Sequence, residues 1–203
     1  MDAYFMKPRS SPPHSAPRTL RIIAGSHRRS LLSVVDAKGL RPTPDRVRET
    51  LFNWLGQDLS GWRCWDAFAG SGALGFEAAS RGAAEVVLVE QAPEVVHSLT
   101  TTLKRLNMPS VRVLAADAVD ALRQARGQAW DLVFLDPPFD QHELLLGALS
   151  AAHEATAAQG LCYVESDRLW PAETWHEAGW QAHKAARAAS VHYCLLTKRE
   201  PSP

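Results

Sequence analysis

From residue 62 onward, short apolar runs alternate with longer amphipathic runs, and this alternation constrains the fold more than any other feature. The apolar runs predict strands at 63–68, 85–90, 111–116, 130–135 and 161–165. The amphipathic runs predict helices at 73–81, 92–106, 118–126 and 142–157. Because each helix returns the chain across the sheet, successive strands run parallel. We therefore expect an α/β domain with helices on both faces, ending in an antiparallel strand pair whose second member is 191–196.

The segment before this domain has a different character. Residues 1–18 are rich in Pro, Ser and Arg without periodicity, which predicts a disordered basic tail. Two short apolar runs at 20–24 and 30–35 flank a Gly-Ser turn and predict a hairpin with Arg28 and Arg29 at its tip. The chain is thus divided into the tail, an extension at 19–60 and the domain at 61–203.

A helix is predicted after the hairpin. Thr43 is a suitable N-cap, and Pro44 suits the first helical position. One apolar face follows at helical spacing, formed by Val47, Leu51, Trp54 and Leu55. Arg46 and Glu49 lie off that face, and Gly61 is expected to end the segment.

The charge of the chain is unevenly distributed, although its net value is zero. Residues 1–48 hold ten Lys or Arg against three Asp, which suits contact with a polyanion such as RNA. No apolar run approaches the ~20 residues of a membrane helix, and no secretory signal is recognisable. The three cysteines are far apart, so we expect buried thiols, no metal site and a cytoplasmic protein.

Residues 66–75 (DAFAGSGALG) join the first strand of the domain to its first helix. Gly70, Gly72 and Gly75 match the pattern G-x-G-x-x-G, which allows a tight turn and a close approach of the backbone to a ligand. Ala67 and Ser71 belong to the same predicted cofactor loop. The motif alone is weak, because NAD enzymes and methyltransferases both have it.

Acidic residues end three successive predicted strands. Glu90 is placed to accept ribose hydroxyls, and Asp117, followed by Ala118, is placed to accept an adenine amino group. Asp66 would repel a pyrophosphate but suits the ammonium and sulfonium of S-adenosylmethionine. Each acid alone is equally well explained as an ordinary helix N-cap. Together they favour S-adenosylmethionine as the cofactor.

Residues 132–139 (LVFLDPPF) are the most informative stretch of the chain. The prolines remove two backbone donors and hold the loop rigid, so the Pro137 carbonyl is displayed beside the Asp136 carboxylate. These two acceptors and the ring of Phe139 suit a planar base with an amino group. Hydrogen bonds to both amino protons localise the nitrogen lone pair, which then attacks an electrophilic methyl group.

A family resemblance narrows this interpretation. Residues 41–55 (RPTPDRVRETLFNWL) and 21–25 (RIIAG), together with the Asp-Pro-Pro-Phe tetrad, resemble the RsmD family of 16S rRNA (guanine-966-N2)-methyltransferases. The similarity covers about residues 20–198. It implies a Rossmann-like class I S-adenosylmethionine-dependent methyltransferase, with a mostly parallel seven-stranded sheet and an N-terminal hairpin and helix extension that helps to bind RNA.

The resemblance also implies residue roles. Asp66, Gly70 and Gly72 would border the methionine part of the cofactor, while Glu90 would hold the ribose and Asp117 the adenine. The guanine would be received by Asp136, Pro137 and Phe139. The basic extension would help to bind RNA, with Arg28 and Arg29 at the hairpin tip. Arg41, Thr43 and Arg46 would lie near the active-site mouth or the RNA.

The predicted substrate is therefore 16S rRNA in a small ribosomal subunit or its assembly intermediate, methylated by a monomeric enzyme. Three alternatives stay open at the level of sequence. An adenine-N6 methyltransferase could use the same tetrad, but the chain has no room for a separate target-recognition domain. An NAD-dependent oxidoreductase would leave the tetrad unexplained. A non-catalytic RNA-binding assembly factor could have kept the fold.

Overall fold

The computed structural model describes residues 19–35 and 44–199, which form nine strands and six helices. The strands are β1 (Thr19–Arg21), β2 (Leu31–Ser33), β3 (Arg63–Asp66), β4 (Glu85–Glu90), β5 (Val111–Ala115), β6 (Trp130–Leu135), β7 (Thr156–Ser166), β8 (Trp180–Ala188) and β9 (Val191–Lys198). The helices are α1 (Asp45–Leu55), α2 (Ala73–Ser80), α3 (Pro93–Leu106), α4 (Ala118–Gln124), α5 (His142–Ala155) and α6 (Ala172–Glu177).

Seven strands form the central sheet in the order β5-β4-β3-β6-β7-β9-β8. Strands β3 to β7 pair in parallel, and β9 runs antiparallel to both β7 and β8. The predicted mostly parallel seven-stranded sheet and its antiparallel final pair are confirmed. The strand order reverses direction between β3 and β6, where sheets of this kind bind ligands beyond the carboxyl ends of their strands.

The two faces of the sheet bury separate hydrophobic clusters. One cluster packs helices α4 and α5 against the sheet, and the other packs α2 and α3. The extension contributes six almost fully buried side chains to the second cluster: Ile22, Leu32, Val47, Leu51, Phe52 and Leu59. The described part of the extension therefore shares one core with the domain that follows it.

Buried charges add to this attachment. The Glu77 carboxylate on α2 accepts hydrogen bonds from the backbone amides of Ile23 and Ala24, at 2.7 and 3.0 Å. It also pairs with Arg81 at 2.8 Å and with Arg48 of α1 at 3.6 Å. Since all three charged side chains are almost fully buried, Glu77 connects the hairpin and α1 to the domain through groups withdrawn from water.

Several predicted boundaries are wrong. The hairpin strands are shorter than 20–24 and 30–35, and β7 begins at Thr156 rather than at 161. Pro44 is the N-cap of α1 rather than its first helical residue, because its ψ of 147° is not helical. Helix α1 ends at Leu55, before Gly56, and not at Gly61. Helix α6 was not predicted, since its six residues bury only Trp175 and carry no apolar stripe.

Some predictions fall outside the described residues. The basic tail at 1–18 lies there, as do Arg41 and the proposed N-cap Thr43. Within the described ranges, every helix is too short or too polar to cross a bilayer.

Candidate active site

A cavity of about 620 Å³ opens at the carboxyl ends of β3, β4 and β6. This volume lies within the usual range for a small-molecule or cofactor site. Most of the predicted cofactor and base-binding residues share its wall, namely Asp66, Ala67, Gly70, Ser71, Glu90, Asp117, Ala118, Asp136, Pro137 and Phe139. The structure thus unites the glycine loop and the Asp-Pro-Pro-Phe tetrad in one site.

The glycine loop turns sharply between β3 and α2. Gly72 has φ of +76° and serves as the N-cap of α2, but it does not line the cavity, so its predicted contact with the cofactor is indirect. At Gly75, an added Cβ would lie 2.1 Å from Leu88 Cδ2 and 3.2 Å from Asp66 Oδ2. The absence of a side chain there lets α2 approach the sheet, so that the Gly75 amide donates to Asp66 Oδ2 at 3.0 Å.

Asp66 is an acid of the cavity wall whose pKa is raised. Its side chain is almost completely buried at the end of β3. Burial raises the pKa of Asp66 to about 7; repulsion from Asp136 and Glu90 adds to the rise, and the hydrogen bond from Gly75 opposes it. A cavity in which carboxylates repel one another favours a cationic ligand and disfavours a pyrophosphate.

The other two strand-end acids also shape the backbone. Glu90 accepts hydrogen bonds from the amides of Gly70, Gln91 and Ala92, at 2.9–3.2 Å, so it holds the glycine loop beside β4. Asp117 is the N-cap of α4, where its Oδ1 accepts from the amides of Val119 and Asp120. The helix-cap explanation is correct for Asp117, and both acids also face the cavity as expected of cofactor ligands.

The tetrad forms another part of the cavity wall, after the strand that neighbours β3. Asp136 directly follows β6, and the Pro138 carbonyl accepts from the Gln141 amide at 3.0 Å as the chain turns into α5. Pro137 is buried, whereas Asp136 and Phe139 are half-buried. Phe139 packs against the hydrophobic core and also lines the cavity, so its ring is anchored in the wall that Asp136 shares.

Glu165 also lines the cavity, and the sequence reasoning did not select it. It lies near the end of β7, is 2% exposed, and accepts a hydrogen bond from the Tyr163 hydroxyl at 2.9 Å. Glu165 has the same sequence pattern as the other acids of the cavity, because it is an acidic residue at the carboxyl end of a predicted parallel strand. This pattern could have identified it.

The predicted RNA-binding residues divide into two places. Arg46 is exposed in the first turn of α1, two residues after Pro44, which lines the cavity. The hairpin tip instead packs on the last residue of α2, where Ser80 O accepts from the Ser26 amide, and His27 Nε2 lies 3.0 Å from Leu106 O at the end of α3.

The exposed Arg28 and Arg29 therefore lie at the far end of α3 from the cavity. Since α3 has 14 residues at about 1.5 Å each, these arginines are roughly 20 Å from the site. The structure does not bring them to the active-site mouth.

Neither the thiols nor the acids suggest metal chemistry. All three cysteines are free and buried, as predicted, and burial raises the pKa of the Cys194 thiol to about 12. Across 19–35 and 44–199, no cluster of three or more His, Cys, Asp or Glu side chains is arranged to hold a metal ion.

The donor set of the cavity fits S-adenosylmethionine. Asp66, Glu90 and Asp117 all line the cavity. Asp66 would suit the ammonium group, while Glu90 and Asp117 would suit the ribose hydroxyls and the adenine amino group, as predicted. The glycine loop leaves space for the methionine chain beside them. A dinucleotide would instead place a phosphate against the acidic wall, which argues against the NAD alternative.

Comparison with known proteins agrees with this geometry. The family model described as Conserved hypothetical protein 95 matches residues 20–197. Ribosomal RNA small subunit methyltransferase D of Escherichia coli strain K12 is 41% identical over 189 residues, which cover 92% of this chain and 94% of that relative. The Haemophilus influenzae protein of the same name is 40% identical over 181 residues, covering 87% of this chain and 92% of the relative.

Solved structures show the same fold. The Escherichia coli protein yhhF superposes with a TM-score of 0.77 at 38% identity, covering 91% of this chain and all of yhhF (100%). The Thermus thermophilus 16S rRNA N2 G1207 methyltransferase, solved with AdoMet and guanosine, shares the fold at 22% identity and a TM-score of 0.61, over 93% of this chain and 46% of that one. The chain therefore belongs to the RsmD family and has the Rossmann-like fold of class I S-adenosylmethionine-dependent methyltransferases.

Proposed function

We propose that this protein transfers a methyl group from S-adenosylmethionine to the exocyclic N2 of a guanine in bacterial 16S rRNA, at the position numbered 966 in the family. One observation carries the proposal: Asp136, Pro137 and Phe139 share a single cavity with the glycine loop and its acids. The names of the relatives support rRNA of the small subunit as the substrate. The Thermus protein of the same fold, named as an N2 methyltransferase, supports guanine as the base.

The residues of the tetrad perform the chemistry by positioning. When bound, S-adenosylmethionine supplies an electrophilic methyl group on a positively charged sulfur. The Asp136 carboxylate and the Pro137 carbonyl accept the two protons of the guanine amine, which turns the nitrogen lone pair toward that methyl group. Phe139 stacks on the base and holds its plane. The negative wall formed with Asp66 and Glu90 favours the cation during approach.

The context of the reaction follows from the family. We propose an assembled small-subunit particle, or an assembly intermediate, as the substrate, and a monomeric cytoplasmic enzyme. The exposed Arg46 near the cavity and the distant Arg28 and Arg29 give RNA two basic contact points. Because Arg28 and Arg29 lie roughly 20 Å from the cavity, along the length of α3, the proposed contacts suit a folded RNA better than a short single strand.

The direct test is mass mapping of 16S rRNA from cells with and without the gene. The proposal expects one N2-methylguanine to disappear at position 966 when the gene is deleted and to return with the wild-type gene. Loss of an N6-methyladenine instead would establish the adenine alternative. An unchanged modification pattern, together with no methyl transfer to particles in vitro, would establish the non-catalytic alternative.

The positioning role of Asp136 has its own test in single-turnover methylation of small-subunit particles. Asp136→Ala removes one acceptor of the amine, and the loss of one preorganised contact typically lowers the rate about 10²–10³-fold. Asp136→Asn keeps a carbonyl acceptor and is expected to be milder. His142→Ala is the comparison, because His142 begins α5 beside the tetrad and bonds Asp167 Oδ1 at 3.1 Å. An active Asp136→Ala with an inactive His142→Ala would replace positioning with a histidine base.

A further inference from the structure

We propose that Glu165 accepts the N1–H of the target guanine and thereby selects guanine over adenine. This inference rests on the proposed function and assigns a specificity role to a residue outside the Asp-Pro-Pro-Phe tetrad. It starts from the position of the carboxyl group, which is buried yet forms part of the cavity wall.

The sheet places Glu165 beside the tetrad. In the parallel pairing of β6 and β7, Leu135 is opposite Val164, so the next residues along the two strands, Asp136 and Glu165, are neighbours. Adjacent strands are about 4.8 Å apart. Both carboxyls line the same cavity as Pro137 and Phe139. A base that stacks on Phe139 and presents its amine to Asp136 therefore has Glu165 next to the same edge.

Tyr163 holds the Glu165 carboxyl in one orientation. Its hydroxyl donates to Glu165 Oε1 at 2.9 Å, and its ring is packed between Phe134 and Tyr193, at centroid distances of 6.3 and 6.4 Å. Burial, with the negative charge of Glu165, raises the pKa of Tyr163 well above its usual value. The hydroxyl consequently stays protonated and keeps donating to Oε1, which holds the Glu165 carboxyl in place at the cavity wall.

The edge of guanine matches this set of acceptors. Guanine presents three donors along one edge, the N1–H and the two N2 protons, and the wall supplies the Asp136 carboxylate, the Pro137 carbonyl and Glu165. Adenine offers two amino protons but has an acceptor at N1, which would face the Glu165 carboxylate. A site built to hydrogen-bond a substrate group rejects the analogue that lacks it by about 10⁴–10⁵-fold.

The experiment compares guanine with 2-aminopurine at the target position of reconstituted particles. 2-Aminopurine keeps the reacting amine but has an acceptor at N1. Wild-type protein is expected to prefer guanine strongly in kcat/KM. In Glu165→Gln the carboxamide donates to the N1 of 2-aminopurine, so the guanine preference should fall by about tenfold or more. The matched control is Glu173→Gln, an exposed residue of α6, which should leave the preference unchanged.

A binding measurement tests the inference even for a variant that methylates too slowly for kinetics. The fluorescence of 2-aminopurine reports whether the base leaves the RNA stack and enters the site, so the relative binding of the two RNAs can be measured without methylation. Tyr163→Phe removes the donor that orients Glu165 and should also lower the guanine preference. Calorimetry with S-adenosylhomocysteine should give the same affinity for every variant, because the cofactor side of the cavity is untouched.

The outcomes separate the two proposals. If wild-type protein methylates guanine but Glu165→Gln keeps the wild-type preference in turnover and in binding, Glu165 has no role in specificity and the proposed function stands. If wild-type protein methylates no guanine in the particle, the proposed function itself is wrong. A preference that falls in Glu165→Gln and Tyr163→Phe but not in Glu173→Gln supports the inference.

Discussion

Replacing Glu77 by alanine tests whether the extension is held by the buried charges beneath it. Glu77 is completely buried and lies between Arg48, also completely buried, and Arg81, which is almost so. It further accepts the amides of Ile23 and Ala24. Glu77→Ala therefore removes one negative charge from two buried guanidinium groups and removes the acceptor of two hairpin amides at once.

The structure gives the scale of the expected loss. Removing one partner of a buried ion pair typically costs about 3–5 kcal/mol, because the remaining charge stays buried. Arg48 keeps its ion pair with Asp45 at 2.6 Å, so the loss falls mainly on Arg81 and on the two hairpin amides. For a protein of 150–250 residues, 1 kcal/mol shifts Tm by roughly 2–4 °C, so a decrease of about 6–20 °C is expected. Glu77→Gln keeps an acceptor oxygen and the side-chain volume, and should lose less.

Urea unfolding followed by circular dichroism measures the change, with Glu154→Ala as the matched control. Glu154 also forms an ion pair with an arginine, Arg126, at 3.3 Å, but both side chains are largely exposed. Exposed pairs contribute about 0–1 kcal/mol, so this control should be nearly neutral. If Glu77→Ala were no more destabilised than Glu154→Ala, the buried network would not hold the extension and its attachment would have to come from apolar packing alone.

Three further predictions concern the cavity and its surroundings. The raised pKa of Asp66 keeps this carboxyl partly protonated near pH 7, whereas the ammonium of the cofactor needs its ionised form. The affinity for S-adenosylhomocysteine should therefore fall up to about tenfold per pH unit below about pH 7, and equal affinities at pH 6 and pH 8 in calorimetry would refute this. Gly75→Ala should lower the free energy of unfolding in urea by about 1–3 kcal/mol, because its Cβ would overlap Leu88. Gly147→Ala in α5, whose Cβ would lie 3.9 Å from Val119, should be neutral or stabilising, and equal effects of the two variants would contradict the close-approach argument. Replacing Arg28 and Arg29 by alanine should lower the salt dependence of RNA binding in filter assays and leave cofactor binding intact, and an unchanged slope would mean that RNA does not reach the hairpin tip.

The residues that the sequence could identify are those whose role is local. The apolar strands, the strand-end acids and the Asp-Pro-Pro-Phe loop are defined by neighbours within a few positions, and the structure places them together at the cavity. The distant place of Arg28 and Arg29 could not be predicted. It depends on the packing of the hairpin tip on the last residues of α2 and α3, which lie more than fifty positions away.

The burial of Arg48 and Glu77 is a second feature that local sequence does not predict. A charged residue in an amphipathic helix is ordinarily expected on the solvent side, and local spacing gives no reason to expect otherwise for either of them. Each has an ion-pair partner within one helical turn, Asp45 for Arg48 and Arg81 for Glu77. Each is also bonded by groups far along the chain, Arg21 O for Arg48 and the Ile23 amide for Glu77, and these distant bonds accompany the full burial of both side chains. Burial of this kind is a property of the assembled fold, which a helical pattern does not contain.

The shortness of α2 has a consequence for how a target base reaches the site. Its eight residues, about 12 Å of helix, begin at the glycine loop and end where the hairpin tip is held, with Glu77 attached to the extension between them. Because α2 is short and bonded to the extension, we expect that wall of the cavity to be shaped before RNA arrives, so that contact costs little ordering entropy. Under the proposed function, the rearrangement on this side falls to the nucleic acid, whose guanine must unstack and swing out at a cost of a few kcal/mol. Among guanines that the basic surface can reach, the one with the lowest free energy of unstacking is thus favoured before any hydrogen bond to its edge forms.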